Sequence, residues 1–260
     1  MNSDELVLDT HGAAVHLILN RADKANALTQ QMWDDLPELV AHAQSIPGAR
    51  VLVLRSATDK VFSAGADVAE YRENAGSTEW GLANHTRVTR ATQALADCTL
   101  ATVARIAGPC AGGAVGLIAA CDLRFSSADA LFAVPPTRLG LVYPQPDTAR
   151  LVDLIGPSAT KRLLLTAARM EATWALRVGL VDELVHLEDL DAAIDQLVLQ
   201  IAGGAPVSVR AMKRTIAWAG SGVRDENDDT RALLVEALEH PDHLEGTAAF
   251  LERRTPLFAS

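Results

Sequence analysis

Two short glycine-rich segments carry the chemistry this sequence offers. The first, Phe62-Ser63-Ala64-Gly65-Ala66-Asp67, follows the β-rich run Val51 to Ser56 and leads into a polar stretch through Glu70 and Arg72 that is predicted to be helical. The second, Gly108-Pro109-Cys110-Ala111-Gly112-Gly113-Ala114-Val115-Gly116, follows the apolar run Leu100 to Ile106 and opens an apolar stretch ending at Cys121-Asp122. Small residues at a strand-to-helix junction let backbone N–H groups approach a ligand with no side chain in the way, and at a helix start the dipole favours negative charge. Each segment by itself also fits an ordinary tight turn. Together they point to two backbone donors converging on one oxygen, the arrangement that stabilises a developing oxyanion.

Other chemistries fit less well. A dinucleotide fingerprint fails because Ala111 stands where the first glycine of GxGxxG is needed, and Asp129 is too near to be the acidic residue about 20 positions on. There is no GxSxG elbow for a serine hydrolase and no His/Cys/carboxylate spacing typical of a metal site.

The elements that must hold these turns alternate as in α/β folds. Val15 to Asn20, Val51 to Ser56 and Leu100 to Ile106 are predicted core strands. Between the first two, Thr29 is placed to cap a helix through Met32, Leu36, Leu39, Val40 and Ala43, with Pro37 expected to kink it or end its first part. Beyond about Gly156 the chain turns helix-rich, with helical spacing over 161–169, 173–178, 190–202, 208–219 and 230–238. Asp225 to Asp229 is predicted to be an acidic turn.

With 260 residues, the chain suits one enzyme-sized domain, and no apolar run approaches the roughly 18 to 20 residues a bilayer crossing needs. Met1 to Thr10 carries acids and shows no leader pattern, so a cytoplasmic location is the expectation. A net charge of −10 without a Lys/Arg cluster argues against nucleic acid, and any phosphorylated ligand must find a local basic patch. Cys98, Cys110 and Cys121 form no CxxC pair and are expected to be reduced core residues.

Leu19-Asn20-Arg21-Ala22-Asp23-Lys24-Ala25-Asn26-Ala27-Leu28, the two glycine-rich turns, Cys121-Asp122-Leu123-Arg124, Leu139-Gly140-Leu141 and Phe250-Leu251-Glu252-Arg253-Arg254 follow one another in a characteristic order. In this order the chain resembles the crotonase (enoyl-CoA hydratase/isomerase) superfamily over roughly Glu5 to Phe258. The resemblance implies an α/β fold, the crotonase (ClpP-like) β-β-α spiral of two sheets wrapped by helices. It implies a spiral core over residues 1–200 and a C-terminal helical trimerisation region over 201–260, assembling as a homotrimer or dimer of trimers. The implied substrate is a coenzyme A thioester, with no permanently bound cofactor and no metal. Residue by residue, the resemblance puts the oxyanion donors on the N–H groups of Ala66 and Gly113. It puts coenzyme A contacts at Lys24, Ala25 and Asn26 and around Ala64, Asp67 and Val68, and assigns Arg253 to a phosphate of the nucleotide, in the same or a neighbouring subunit.

The departures from the family bear on the reaction. Hydratases of this family use two glutamates to hold and activate water, and the matching positions here are Gly116 and Pro136. Neither side chain exchanges a proton, so paired-carboxylate catalysis is missing where it is expected. Glycine inside a helix costs about 0.5–1 kcal/mol relative to alanine, and at Gly116 the expected return is space for a ligand. Tyr143 stands in the loop that carries variable catalytic groups in the family and resembles the tyrosine of methylmalonyl-CoA decarboxylases there, although the histidine those enzymes carry in the first turn is Ala66 here. Asp147, Glu70 and His85 are further candidates, each expected to be a solvated surface group. The implied activity is therefore enolate-stabilising chemistry on an acyl-CoA (isomerisation, decarboxylation or thioester hydrolysis). The alternatives are a hydratase with relocated acid and base groups, or a non-catalytic acyl-CoA-binding subunit.

Overall fold

The computed structural model describes residues 4–258. A six-stranded sheet runs in the order β1 (Leu6–His11), β2 (Ala14–Leu19), β3 (Val51–Ser56), β4 (Ala101–Ile106), β6 (Leu123–Ser127), β9 (Glu183–Val185). The hairpin β1–β2 is antiparallel and every later pairing in this sheet is parallel. A smaller sheet pairs β5 (Cys110–Ala111), β7 (Leu131–Ala133) and β8 (Met170–Glu171).

The strands alternate in side-chain direction, and both faces of the large sheet are covered. Leu52, Leu54, Ala104 and Ile106 point into the main core, which includes Met32, Trp33, Leu36 and Leu39 of α1 (Gln30–Ser45) and Leu95 of α3 (Thr78–Ala96). Val51, Val53 and Val103 point the other way, onto Ile194 and Val198 of α7 (Leu190–Ala202). Arg105, only 1% exposed, ties β4 to α7 through Asp191 at 2.6 Å and to the β3 end through Asp59 at 2.8 Å.

α1 starts where Thr29 accepts a hydrogen bond from Met32 N, as its sequence indicates. It then runs unbroken through Pro37, contrary to the expected kink or end. The missing N–H removes one hydrogen bond, while a stripe of six buried residues from Met32 to Ala43 holds the helix on the core.

Two helices follow the glycine-rich turns. α2 (Val68–Glu73) is capped by Asp67, and α4 (Gly113–Ala120) is apolar on all sides and buried. α5 (Gln145–Thr166), interrupted at Gly156-Pro157, and α6 (Ala172–Val178) complete the core layer. After α7 come α8 (Pro206–Gly220), α9 (Asp228–Glu239) and α10 (Pro241–Glu252). The predicted acidic turn is partly helix, because Asn227 and Thr230 form a capping box and Asp228 and Asp229 lie in the first turn of α9. The boundary expected near residue 200 falls in the last turn of α7. No single helix among the described residues is long and apolar enough to cross a membrane.

Candidate active site

The segment from Arg21 to Leu28 is the frame on which the first glycine-rich turn is built. Asn26 is fully buried and its amide donates to Ser56 Oγ at 2.8 Å and Phe62 O at 2.9 Å, while its side-chain oxygen accepts from Arg21 N at 2.8 Å. Ser63 Oγ donates to Asn26 O at 2.7 Å and accepts from Gly65 N at 3.0 Å. Ala64 N donates to Ala25 O, Leu28 N to Gly65 O and Asp67 N to Leu28 O. The Asp67 carboxylate pairs with Arg21 at 2.7 Å and accepts from Ala69 N, so it is held below its usual pKa by the guanidinium and the backbone donor.

The second turn is stitched onto the first. Ala111 N donates to Ser63 O at 2.8 Å, Phe62 N to Pro109 O at 3.0 Å and Gly112 N to Ala133 O at 2.8 Å. Gly112 has φ 56, ψ −126, and Gly65 has φ 87, conformations L side chains avoid. A Cβ on Gly65 would lie 2.5 Å from Ala111 O and 2.9 Å from Gly113 N, so the two turns touch backbone to backbone only because that carbon is missing.

This packing brings Ala66 N–H and Gly113 N–H to one wall of a cavity. Ala66 N lies between the two bonds that tie Gly65 and Asp67 to Leu28 and is not spent in either. Gly113 opens α4, where first-turn N–H groups have no partner within the helix. Trp33 sets the second donor: a Cβ on Gly113 would stand 3.0 Å from its ring and 3.9 Å from Ala66 N. Two N–H groups with no hydrogen-bond partner among the described residues, in a half-enclosed, mainly apolar space, can hold an oxygen on which negative charge develops.

The cavity measures about 460 Å³ and is lined by Trp33, Ala64, Ala66, Val68, Tyr71, Leu82, His85, Val88, Gly113, Pro136, Leu139, Leu141 and Tyr143, among others. Of the residues singled out from sequence, Ala64, Ala66, Val68, Gly113 and Tyr143 meet here, and His85 joins them from α3. Lys24 is exposed on a single 3-10 turn, Ala22–Lys24, next to Ala25. Asn26 has its side chain enclosed, with donors and acceptor used by the frame. Arg253 caps α10 and is exposed, while its neighbour Arg254 is held between Glu245 and Glu252 at 2.6 Å each.

Tyr143 Oη donates to Gly112 O at 3.2 Å, beside the second donor. Burial and the nearby Asp147 carboxyl push the phenol well above its ordinary pKa, so it stays a proton donor. Asp147 is not the solvated group expected from sequence: it is fully buried in the first turn of α5. Its Oδ1 pairs with Arg150 at 2.9 Å, and burial raises its pKa against the opposing hydrogen bonds of Thr92 and Arg150. Glu70 also differs from expectation. It is half-buried and its Oε2 accepts from Gln30 N at 2.9 Å, so it caps the start of α1. The three cysteines are buried, and burial pushes their thiols up, that of Cys121 to about 12. Among the described residues no group of three or more His, Cys, Asp or Glu is placed to hold a metal ion.

The model of the Enoyl-CoA hydratase/isomerase family matches residues 10–260. A crotonyl-CoA hydratase of Syntrophomonas wolfei is 30% identical over 269 residues, covering 100% of both chains. A carnitinyl-CoA dehydratase of Proteus mirabilis is 30% identical over 260 residues, covering 98% of each. A crystal structure of an enoyl-CoA hydratase/isomerase family protein from Hyphomonas neptunium superposes with a TM-score of 0.94 at 34% identity, covering 98% of this chain and 97% of that one. The sequence order, the two stitched turns and these likenesses agree that the chain belongs to the enoyl-CoA hydratase/isomerase family of the crotonase superfamily, whose members process acyl-CoA thioesters.

Proposed function

We propose that the protein acts on an acyl-CoA thioester by holding its enolate-like state on Ala66 N–H and Gly113 N–H, and that it is an isomerase, decarboxylase or thioester hydrolase rather than an efficient hydratase. The observation that carries this reading is the pairing of two free backbone donors with Gly116 and Pro136 where the family's hydratases have glutamates. Donors of this type contribute about 2.7–4 kcal/mol each to catalysis, enough to drive chemistry in which the substrate supplies its own leaving group or proton. Tyr143, whose hydroxyl stays protonated, is the group at hand to orient or protonate the enolate. Turnover of a malonyl-type or a β,γ-unsaturated acyl-CoA, read by mass spectrometry of the products, tests this. Tyr143→Phe is expected to lower the rate about ten- to a thousandfold. A chain inert toward every acyl-CoA offered is a binding or assembly subunit.

Coenzyme A is proposed to lie along Lys24, Ala25, Ala64 and Val68, beside the rim formed by Asp67, with Arg253 meeting a phosphate. Because the chain is acidic overall, the attraction must come from these few basic groups. Calorimetry is expected to show affinity falling with salt and on Lys24→Ala or Arg253→Ala; unchanged affinity in both variants removes the assignment.

The protein is further proposed to assemble as a trimer or a dimer of trimers in the cytoplasm. Supporting this, α8 to α10 and the following segment expose Met212, Ile216, Leu244, Phe250 and Leu257, each more than 60% accessible in the single chain. Light scattering is expected to give three or six subunits, and a monomer at micromolar concentration rules the assembly out.

A further inference from the structure

Among the described residues, every lysine and arginine that is not exposed forms an ion pair, except Arg50. Arg50 stands just ahead of β3, where its backbone N–H donates to Ala13 O at 2.8 Å. Its side chain is half-buried and has no hydrogen-bond or ion-pair partner among the described residues. A partly desolvated charge with no counter-charge costs free energy, which an anion bound beside it would recover.

Arg50 lines a cavity of about 330 Å³ between the end of α1, the approach to β4, the last turn of α7 and the start of α8. Arg210 of α8 is a second guanidinium on its wall, and no acidic side chain among the described residues lines it. Arg210 meets Glu236 at 3.3 Å, but both are about half exposed, and a pair of that kind is held weakly in water. The neutral polar groups of the wall are already engaged. Gln44 Oε1 accepts from Thr99 N at 2.8 Å and from Thr99 Oγ1 at 2.7 Å, Gln44 Nε2 donates to Val40 O at 3.3 Å, and Ser45 Oγ donates to His42 O at 2.7 Å. Ile46, Pro47, Leu100, Ile201 and Val209 make the rest apolar. What remains on offer is two guanidiniums over an apolar wall, which select an anionic oxygen group carried on a small apolar body.

We infer that this cavity is a second ligand site, for the phosphate monoester of a small, partly apolar molecule, with Arg50 as its anchor. Charge favours phosphate over carboxylate: a phosphate monoester carries close to two negative charges at pH 7, matching two guanidiniums, whereas a monocarboxylate carries one. The site is distinct from the active-site cavity and shares no lining residue with it. It adjoins the N-terminal ends of β3 and β4, whereas Ala66 and Gly113 follow their C-terminal ends, a six-residue strand or about 20 Å away. A ligand there touches both the Arg50 side of the sheet and α8, surfaces that are together only in the folded chain, so its binding raises the thermal midpoint.

The test is calorimetric titration of the whole chain with phenyl phosphate, with benzoate as the carboxylate counterpart and inorganic phosphate as the bare ion. Phenyl phosphate should bind saturably and about tenfold or more tightly than either, and at ten times its Kd should raise the midpoint by about 3–6 °C. Arg50→Met keeps the packed stem and removes the charge. It should weaken phenyl phosphate about tenfold or more, leave the unliganded midpoint unchanged or higher, and leave coenzyme A affinity unchanged. Arg210→Ala should weaken the probe several-fold, and Lys24→Ala should not weaken it. No saturable binding, undiminished binding by Arg50→Met, or a loss on Lys24→Ala in its place, which would put the probe in the coenzyme A site, would each overturn the inference. So would benzoate or inorganic phosphate binding as tightly as phenyl phosphate. A changed subunit number of Arg50→Met in light scattering would make the cavity a contact between copies of the chain and overturn it as well.

Discussion

Gly65→Ala is expected to abolish turnover and to destabilise the chain, because one methyl group is placed where two backbones meet. The added carbon would stand 2.5 Å from Ala111 O and 2.9 Å from Gly113 N, and backbone atoms do not yield as a flexible side chain would. Alanine at φ 87 adds about 1–3 kcal/mol of conformational strain on its own. The turns must separate, which pulls Gly113 N–H away from Ala66 N–H and spoils a geometry that tolerates only a few tenths of an ångström. The measurement is kcat beside the thermal unfolding midpoint. A loss of about a hundredfold or more in kcat at a temperature where the variant is still folded is the expected outcome. Near wild-type kcat would mean that the two turns do not act together on the substrate.

Hydration of crotonyl-CoA should be slower than by a paired-glutamate hydratase by about a hundred- to ten-thousandfold. General acid–base groups typically contribute that much, and the sequence resemblance puts Gly116 and Pro136 at the two places where the family's hydratases carry them. Pro136 lines the cavity and offers only an apolar ring, while Gly116 is screened from it by the Tyr143 phenol. Loss of enoyl absorbance reports the rate directly. Should hydration prove fast, the acid and base must come from elsewhere. Glu70 is then a poor choice because its carboxylate is bonded to Gln30 N, and Asp147, buried beside Gly116 and the Tyr143 phenol, is the carboxyl next in line.

The parts of this molecule that were legible from sequence are those in which local pattern and tertiary environment agree. β3 and α7 occupy the residues that apolar spacing marks out, since a two-residue or 3.6-residue rhythm survives only where one or both faces are buried. The glycine-rich turns were legible because the residue type itself states the backbone's need. Pro37 misled, because the local loss of one hydrogen bond is smaller than what α1 gains by packing. Asn26 sits in the segment that marks the family, yet nothing local tells whether its amide faces a ligand or the interior; only the placement of Ser56, Phe62 and Arg21 around it shows that it braces the first turn. Asp147 follows Pro144-Gln145-Pro146 and reads as a solvated helix start. Its burial arises from α4 and Tyr143, residues that no spacing rule connects to it. Trp33, which bounds the position of Gly113, looks in the sequence like any other core residue of an amphipathic helix.

The parentage of the two donors has a consequence for how the protein becomes active. Ala66 follows β3 and Gly113 follows β4, strands that pair in parallel and so require the long crossover through α2 and α3 before they can meet. Non-local pairings of this kind form slowly, because chain closure must be accomplished before any contact rewards it. The juxtaposition of Ala66 N–H and Gly113 N–H does not exist in any fragment that ends before the second turn, nor in a collapsed chain whose helices have formed but whose strands have not aligned. Recovery of turnover after dilution from denaturant should thus trail recovery of helical circular dichroism and coincide with burial of Trp33, which makes catalysis itself a reporter of the last productive step in folding.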